Sequence, residues 1–169
     1  MNTNIKKNGI GSHEATTAQT HVWLTPKYII NSLGQFTLDP CACSQPRPWD
    51  TAQNNYTIEY DGLNKKWFGR VWCNPPYGKF SHRWLSKLAE HGEGIALIFA
   101  RTETKMFFDC VWNKATAVLF LQGRLKFCRP DGTTPKANAG ALSVLVAYGD
   151  RDAYILESCD LKGKYIYLK

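Results

Sequence analysis

The chain has 169 residues, of which 44% are apolar and 21% are charged, a balance typical of a globular domain and not of a disordered or fibrous chain. Lysine and arginine outnumber aspartate and glutamate by 21 to 14, and the resulting net charge of +7 suits a polyanionic partner as well as simple solubility. The longest apolar runs are too short to cross a bilayer, which argues against a membrane-spanning helix.

The polar N-terminus lacks the apolar segment of a secretory signal, so we expect a cytoplasmic protein with a mobile arm over 1–20. Residues 21–169 are expected to form a single domain without a separate target-recognition domain. The spacing of the six cysteines, among which Cys41 and Cys43 are the one close pair, does not match a zinc site. We therefore expect reduced thiols, no metal, no membrane partner and no obligate protein partner.

The expected elements alternate between strands and helices along the chain. Helices are expected over 25–34, 79–92 and 102–115. Strands are expected over 35–40, 69–74, 94–100, 116–123, 124–128, 141–149 and 164–168, with a weaker strand and a turn over 56–63. In the first helix, Thr25 is the expected N-cap, Pro26 stands in the first turn and Gly34 is the stop. This alternation predicts an α/β fold with a mostly parallel sheet, flanked by helices and ending in an antiparallel edge pair.

A rigid turn follows the strand expected over 69–74. Pro75 and Pro76 end that strand, because proline cannot donate the next ladder hydrogen bond. The side-chain carbonyl of Asn74 and the main-chain carbonyl of Pro75 are two acceptors that suit the two hydrogens of a planar amine, whose lone pair they would expose. Tyr77 can stack on the ring that carries the amine. The structural alternative is a Pro-Pro turn with a packed tyrosine and an asparagine cap.

The sequence NPPY after a strand is similar to the catalytic motif of amino-methyltransferases that use S-adenosylmethionine. Five segments resemble, in the same order, the phage-type DNA N6-adenine methyltransferases (the Dam-like phage family): VWLTP at 22–26, LDPCA at 38–42, DGL at 61–63, VWCNPPYG at 71–78 and GRLKF at 123–127. The resemblance implies a Rossmann-like class I methyltransferase from a bacteriophage. Such an enzyme transfers a methyl group from S-adenosylmethionine to N6 of adenine in DNA, at a specific site, after the base has been flipped out of the stack.

The resemblance also implies roles for single residues. The catalytic turn consists of Asn74, Pro75, Pro76 and Tyr77. The cofactor residues are Thr25 and Pro26 near the methionine end, Asp39, Pro40 and Ala42 beneath the methionine and its amino group, and Asp61 at the adenine amine. Trp23 is a candidate wall of the cofactor pocket and equally a core residue. No glycine-rich loop follows the first strand, and Glu59 and Asp50 are candidates for the ribose-binding acid, although both also suit solvated surface charges.

Five basic residues are candidates for DNA contact: Arg101, Arg124, Lys126, Arg129 and Lys136. The last four surround a loop over 129–140, and loops of that length are usually functional. A helix-capping role is equally open for the segment around Arg101. The turn chemistry alone also admits other planar amines, namely cytosine N4, adenine in RNA and a protein glutamine. A non-catalytic DNA-binding decoy is the alternative from a different class.

Overall fold

The computed structural model describes residues 23–78, 80–136 and 139–169, so the arm expected over 1–20 lies outside the described residues. The helices, in chain order, are α1 Lys27–Leu33, α2 Ser81–His91, α3 Lys105–Phe107 and α4 Asp150–Ser158. The strands, in chain order, are β1 Leu38–Asp39, β2 Asn54–Asn55, β3 Val71–Cys73, β4 Gly94–Phe99, β5 Ala117–Leu121, β6 Ser143–Tyr148 and β7 Gly163–Tyr167. A 3-10 turn covers Ile58–Tyr60, and a π-helical turn over Phe108–Trp112 continues α3.

The strands form one mixed sheet in the order β2-β1-β3-β4-β6-β5-β7. The neighbours β2, β1, β3 and β4 are parallel, whereas β4–β6, β6–β5 and β5–β7 are antiparallel pairs. The α/β class is therefore confirmed, but a mostly parallel, Rossmann-like sheet with one antiparallel edge pair is not. The reason lies in the connection from β5 to β6, whose described residues, 122–136 and 139–142, do not form the helical crossover that parallel strands require. Strand β6 therefore enters the sheet between β4 and β5 in the opposite direction.

Two expected strands are not formed. Residues 56–60 lie mostly in the 3-10 turn, and Ile58 in that turn is 85% exposed, so no sheet face covers it. The preceding Asn54–Asn55 pairs with β1 instead, inside a stretch for which neither a helix nor a strand is expected. Residues 124–128 make only the isolated bridge between Cys128 and Leu24.

Two expected helices differ in their details. Helix α1 has Pro26 as its N-cap instead of Thr25, and Gly34 follows its end with a φ of 79°. The helix expected over 102–115 begins after Thr104, whose side chain accepts a hydrogen bond from the Phe107 amide. It then widens into the π-helical turn, in which Cys110 and Val111 are buried.

The alternation of side chains along the strands divides the core between the two faces of the sheet. On one face, Trp72 and Leu97 pack with residues of α1 and α4. On the other face, Val71 and Cys73 pack with Leu85 and the rest of the apolar side of α2. Both faces of the central strands are therefore covered, so that functional side chains reach solvent at the strand ends.

A buried ion pair anchors the start of β3. The Nε atom of Arg70 lies 2.6 Å from Oδ1 of Asp152 in α4, and both side chains are at most 4% exposed. The Nη1 atom of Arg70 donates to the main-chain carbonyls of Leu33 and Gln35, and its guanidinium lies 4.0 Å from the centre of the Phe36 ring. These contacts join α1, α4 and β3, and β3 is the strand that carries the turn beginning at Asn74.

Candidate active site

The turn after β3 is tied to the first residue of α2. The Ser81 hydroxyl donates to the Pro76 carbonyl at 2.7 Å, and the Ser81 amide donates to the Gly78 carbonyl at 3.1 Å. Gly78 has a φ of 117°, a conformation that favours glycine, and Pro75 is buried. The backbone from Asn74 to Gly78 is therefore held by two prolines and by the start of a helix.

The side-chain amide of Asn74 has a defined orientation. Its Nδ2 donates to the Thr25 hydroxyl at 3.3 Å and to the Trp23 carbonyl at 3.4 Å. Because a main-chain carbonyl can only accept, the nitrogen of the amide has to face Trp23. The Oδ1 of Asn74 therefore faces Tyr77, whose hydroxyl donates to it at 3.3 Å.

An aromatic cluster, formed by Tyr77, Phe99 and Phe127, flanks this amide. The rings of Tyr77 and Phe99 are stacked with centroids 4.2 Å apart and planes 18° apart. Phe127 meets Tyr77 edge-on at 5.9 Å. Burial, and secondarily the nearby Cys41 thiol, raises the pKa of the Tyr77 hydroxyl, which therefore remains a donor to Asn74.

The loop after β1 is organised by Asp39, which is 2% exposed. One carboxylate oxygen accepts from the Cys41 amide at 3.0 Å, and the other accepts from the Thr51 hydroxyl. Burial raises the pKa of Asp39 to about 6, although these hydrogen bonds favour its ionised form. Because both oxygens are engaged within the protein, Asp39 shapes this loop and does not present a free carboxylate.

The same loop touches the turn that begins at Asn74 through Cys41. Its Sγ lies 3.4 Å from the main-chain oxygen of Asn74, to which the thiol donates, and 3.8 Å from the Sγ of Cys73. Burial raises the pKa of Cys41, so it is present as a neutral thiol. The carboxyl ends of β1 and β3 are thus in direct contact, in keeping with the register of Leu38 opposite Val71.

Asp61 is held beside the loop after β1. It has a φ of 46°, is exposed, and accepts a hydrogen bond from Asn64 at 2.5 Å. The next residue, Gly62, packs so closely that a Cβ atom there would lie 1.9 Å from the Pro40 carbonyl oxygen. The backbone next to Asp61 is therefore packed on Pro40, and the role of Asp61 at the cofactor stays a prediction.

The segment before α1 lies between the other parts of the site. Leu24 pairs with Cys128, and the Thr25 carbonyl accepts from the Trp49 indole at 3.1 Å. Thr25 and Pro26 are buried, whereas Trp23 is half-buried. The contact between Thr25 and Asn74 joins a residue expected near the cofactor to the residue expected to bind the target amine.

The other predicted site residues have different surroundings. Ala42 is buried in the loop after β1. Glu59 accepts a hydrogen bond from the Thr57 hydroxyl, which lowers the pKa of its carboxyl group, and Asp50 pairs with Arg47 at 2.5 Å. These contacts do not place Glu59 or Asp50, the two candidates for the ribose-binding acid, against the Asn74 amide.

The five basic residues predicted to contact DNA are all exposed: Arg101, Arg124, Lys126, Arg129 and Lys136. Arg101 lies two residues beyond the end of β4, next to the aromatic cluster. The loop that begins at Arg129 closes with a hydrogen bond from the Gly132 amide to the Arg129 carbonyl, and a Cβ atom on Gly132 would lie 2.7 Å from Pro48. This part of the loop therefore packs on the segment after β1 and does not extend freely.

Sequence reasoning did not assign roles to Phe99, Phe127 and Cys41. An aromatic residue at the last position of β4 and the F of the GRLKF segment were the available signals.

Two surface cavities lie elsewhere, one of about 260 Å³ between α4 and β7 and one of about 330 Å³ beside α1 and the end of β5. Within the described part of the chain, no group of three or more His, Cys, Asp or Glu side chains could hold a metal ion. Among the same residues, no helix is both long and apolar enough to span a membrane.

A family model described as DNA N-6-adenine-methyltransferase (Dam) matches residues 12–158. The chain belongs to this family. The match includes β1, the Asn74–Tyr77 turn and the 123–127 segment, so the family resemblance found in the sequence is confirmed. Searches of curated proteins and of solved structures found no match. Membership of the Dam family indicates an enzyme that methylates adenine N6 in DNA.

Proposed function

We propose that the protein transfers a methyl group from S-adenosylmethionine to N6 of an adenine that has been flipped out of DNA. The observation that carries this proposal is the orientation of the Asn74 amide. Thr25 and Trp23 accept from its nitrogen, so its oxygen faces the hydroxyl of Tyr77. An acceptor next to an aromatic side chain suits a planar ring with an exocyclic amine.

The chemical problem is the poor nucleophilicity of adenine N6, whose lone pair is delocalised into the ring. Acceptance of its two N–H groups by the Asn74 side chain and the Pro75 carbonyl would favour a tetrahedral nitrogen with a localised lone pair. The Cys41 thiol donates to the main-chain carbonyl of Asn74, and the Ser81 hydroxyl donates to the main-chain carbonyl of Pro76. No donor to the main-chain carbonyl of Pro75 is found among the described residues. In the transfer, N6 would gain the methyl group as the methyl–sulfur bond breaks, and N6 would then release one proton to solvent. Orientation and polarisation by fixed acceptors would promote this reaction without a metal or a general base.

The target base would bind against the aromatic cluster. The Asn74 oxygen has two lone pairs, so it can accept from N6 while it still accepts from the Tyr77 hydroxyl. Contact with Tyr77 would contribute about 1–3 kcal/mol of stacking free energy. Because the cluster lies at the carboxyl end of the central strand β4 and is at least partly buried, the base has to leave the duplex to reach it.

The described residues fit S-adenosylmethionine, the donor that the family implies. When bound, it would supply an activated methyl group on a sulfonium sulfur. Asp61 is exposed and its carboxylate would suit an amine, while the next residue, Gly62, packs on Pro40 and fixes the adjoining backbone. The loop from Pro40 to Ala42 and the segment from Trp23 to Pro26 would contribute mainly backbone and apolar contacts, because Thr25, Pro26, Pro40 and Ala42 are buried.

The exposed cations would bind the DNA backbone. Arg101 lies beyond Phe99, and Arg124 and Lys126 alternate with the buried Leu125 and Phe127, so their side chains point away from the core. Arg129 and Lys136 lie in the loop that follows. Together with the net charge of +7, these residues support phosphate binding that weakens as salt is added.

The reaction can be tested by incubating the protein with methyl-labelled S-adenosylmethionine and DNA, followed by digestion of the DNA to nucleosides. We expect the label in N6-methyldeoxyadenosine. Label in N4-methyldeoxycytidine, or label only when RNA or protein is supplied, would contradict the proposed substrate. Tight DNA binding without incorporation would instead indicate the non-catalytic decoy.

A further inference from the structure

An apolar side chain projects from the rim of the candidate active site. Leu142 immediately precedes β6 and is 55% exposed, whereas the next residue, Ser143, is 1% exposed. The main-chain carbonyl of Leu142 accepts a hydrogen bond from the Ala100 amide at 2.9 Å. Leu142 is therefore an exposed aliphatic group on a backbone that is fixed to the end of β4.

The backbone of Leu142 is close to the aromatic cluster. Ser143 pairs with Phe99 in the β4–β6 ladder, and the ring of Phe99 is stacked on Tyr77 at 4.2 Å. With neighbouring strands about 4.8 Å apart and consecutive Cα atoms about 3.8 Å apart, Leu142 lies roughly 10–15 Å from the Asn74 turn. Arg101, which follows Ala100, adds an exposed cation at the same rim.

Extrusion of a base leaves a gap in the duplex that has to remain open while the base is bound. We propose that Leu142 inserts into the base stack at this gap, which makes it a positioning residue for a duplex DNA substrate. This inference rests on the proposed function. Apolar side chains, leucine among them, are the groups that proteins insert between base steps, since they replace stacking contacts without needing hydrogen-bond partners.

Other exposed apolar residues are less suited to this role. Ile58 lies on the 3-10 turn before Asp61, on the side expected to hold the cofactor, and Ile166 lies on β7 at the far edge of the sheet. The backbone of Leu142, in contrast, is hydrogen-bonded at the end of a strand. This suits a wedge, because a side chain inserted between stacked bases needs a firmly held backbone.

The test compares Leu142→Ala with the wild-type protein on three DNA substrates of the same sequence. These are a fully paired duplex, a duplex with an abasic site opposite the target adenine, and the single strand. We expect kcat/KM of the variant to fall about tenfold or more on the paired duplex, because stacking has to be broken there without the wedge. On the abasic duplex and the single strand, we expect activity within about twofold of the wild type, because those substrates present an adenine that is already unpaired.

The matched control is Ile166→Ala, which shortens an exposed aliphatic side chain far from the turn and should leave all three activities unchanged. A second readout is a fluorescent adenine analogue at the target position, whose emission rises on unstacking; Leu142→Ala should reduce that rise. An equal loss on all three substrates, or no loss on the paired duplex, would overturn the wedge while the proposed reaction stands. Wild-type protein that methylates none of the three would instead overturn the proposed function and the wedge with it.

Discussion

The orientation of Asn74 depends on the Thr25 hydroxyl, and this dependence can be measured. Thr25→Val keeps the shape of a side chain that is 2% exposed and removes the acceptor that lies 3.3 Å from Asn74 Nδ2. The amide would then keep only the Trp23 carbonyl, at 3.4 Å, as a partner for its nitrogen. Loss of one such hydrogen bond corresponds to about 0.5–1.5 kcal/mol.

If this free energy holds the Asn74 oxygen toward the target amine, its loss raises the reaction barrier by a similar amount. We therefore expect kcat for methyl transfer to fall about two- to twelvefold in Thr25→Val. Single-turnover kinetics at saturating cofactor would measure the decrease, and Thr25→Ser, which keeps the hydroxyl, should retain most of the activity. A higher KM for S-adenosylmethionine with unchanged kcat would refute the reasoning, because it would assign Thr25 to cofactor binding alone.

Two further predictions concern stability. Asp152→Ala leaves the buried guanidinium of Arg70 without its carboxylate, so the free energy of unfolding in denaturant titrations should fall by about 3–5 kcal/mol. The control is Asp109→Ala, which removes an exposed ion pair with Lys105 and should leave the free energy of unfolding nearly unchanged. Similar decreases in both variants would contradict this prediction. Burial raises the pKa of Asp39 from 3.8 to about 6, so the folded protein holds the carboxyl proton to higher pH than the unfolded chain does. The resulting stabilisation of the folded state is full below about pH 4 and is lost as the pH rises through 6. Asp39→Asn should flatten this part of a plot of Tm against pH, and an unchanged slope would show that other groups set the pH dependence.

The sequence predicted the central part of the fold well. The continuous apolar run of β4, the helical spacing of Trp84, Leu85 and Leu88, and the stop at Pro75 are local signals, and each led to the correct element. The 124–128 segment is an instructive failure. Its alternation is real, since Leu125 and Phe127 are buried while Arg124 and Lys126 are exposed.

Alternation predicts which side of a segment is buried, but a strand also needs a neighbour along its length. Leu24 supplies that neighbour only at Cys128. Conversely, Asn54 and Asn55 are poor strand formers that pair with β1, because their tertiary position outweighs their local preference.

The candidate site was predicted in part. The turn at Asn74 and the carboxylate at Asp61 follow from motifs, and the structure puts them on adjacent strand ends and loops. The stacking of Phe99 on Tyr77 depends on the sheet order, and the bond from Asn74 to Thr25 joins residues 49 positions apart. Contacts of this kind arise from tertiary packing and leave no periodic signal in the sequence.

The central claim is that the side-chain carbonyl of Asn74 binds and polarises the target amine. Its most direct test is Asn74→Ala, with single-turnover methylation of DNA and the Kd for S-adenosylmethionine measured on the same preparation. We expect the methylation rate to fall at least about a hundredfold, because a prearranged transition-state contact is lost, while the Kd changes by less than about twofold. A methylation rate close to that of the wild type, or a loss of activity fully explained by weaker cofactor binding, would contradict the claim.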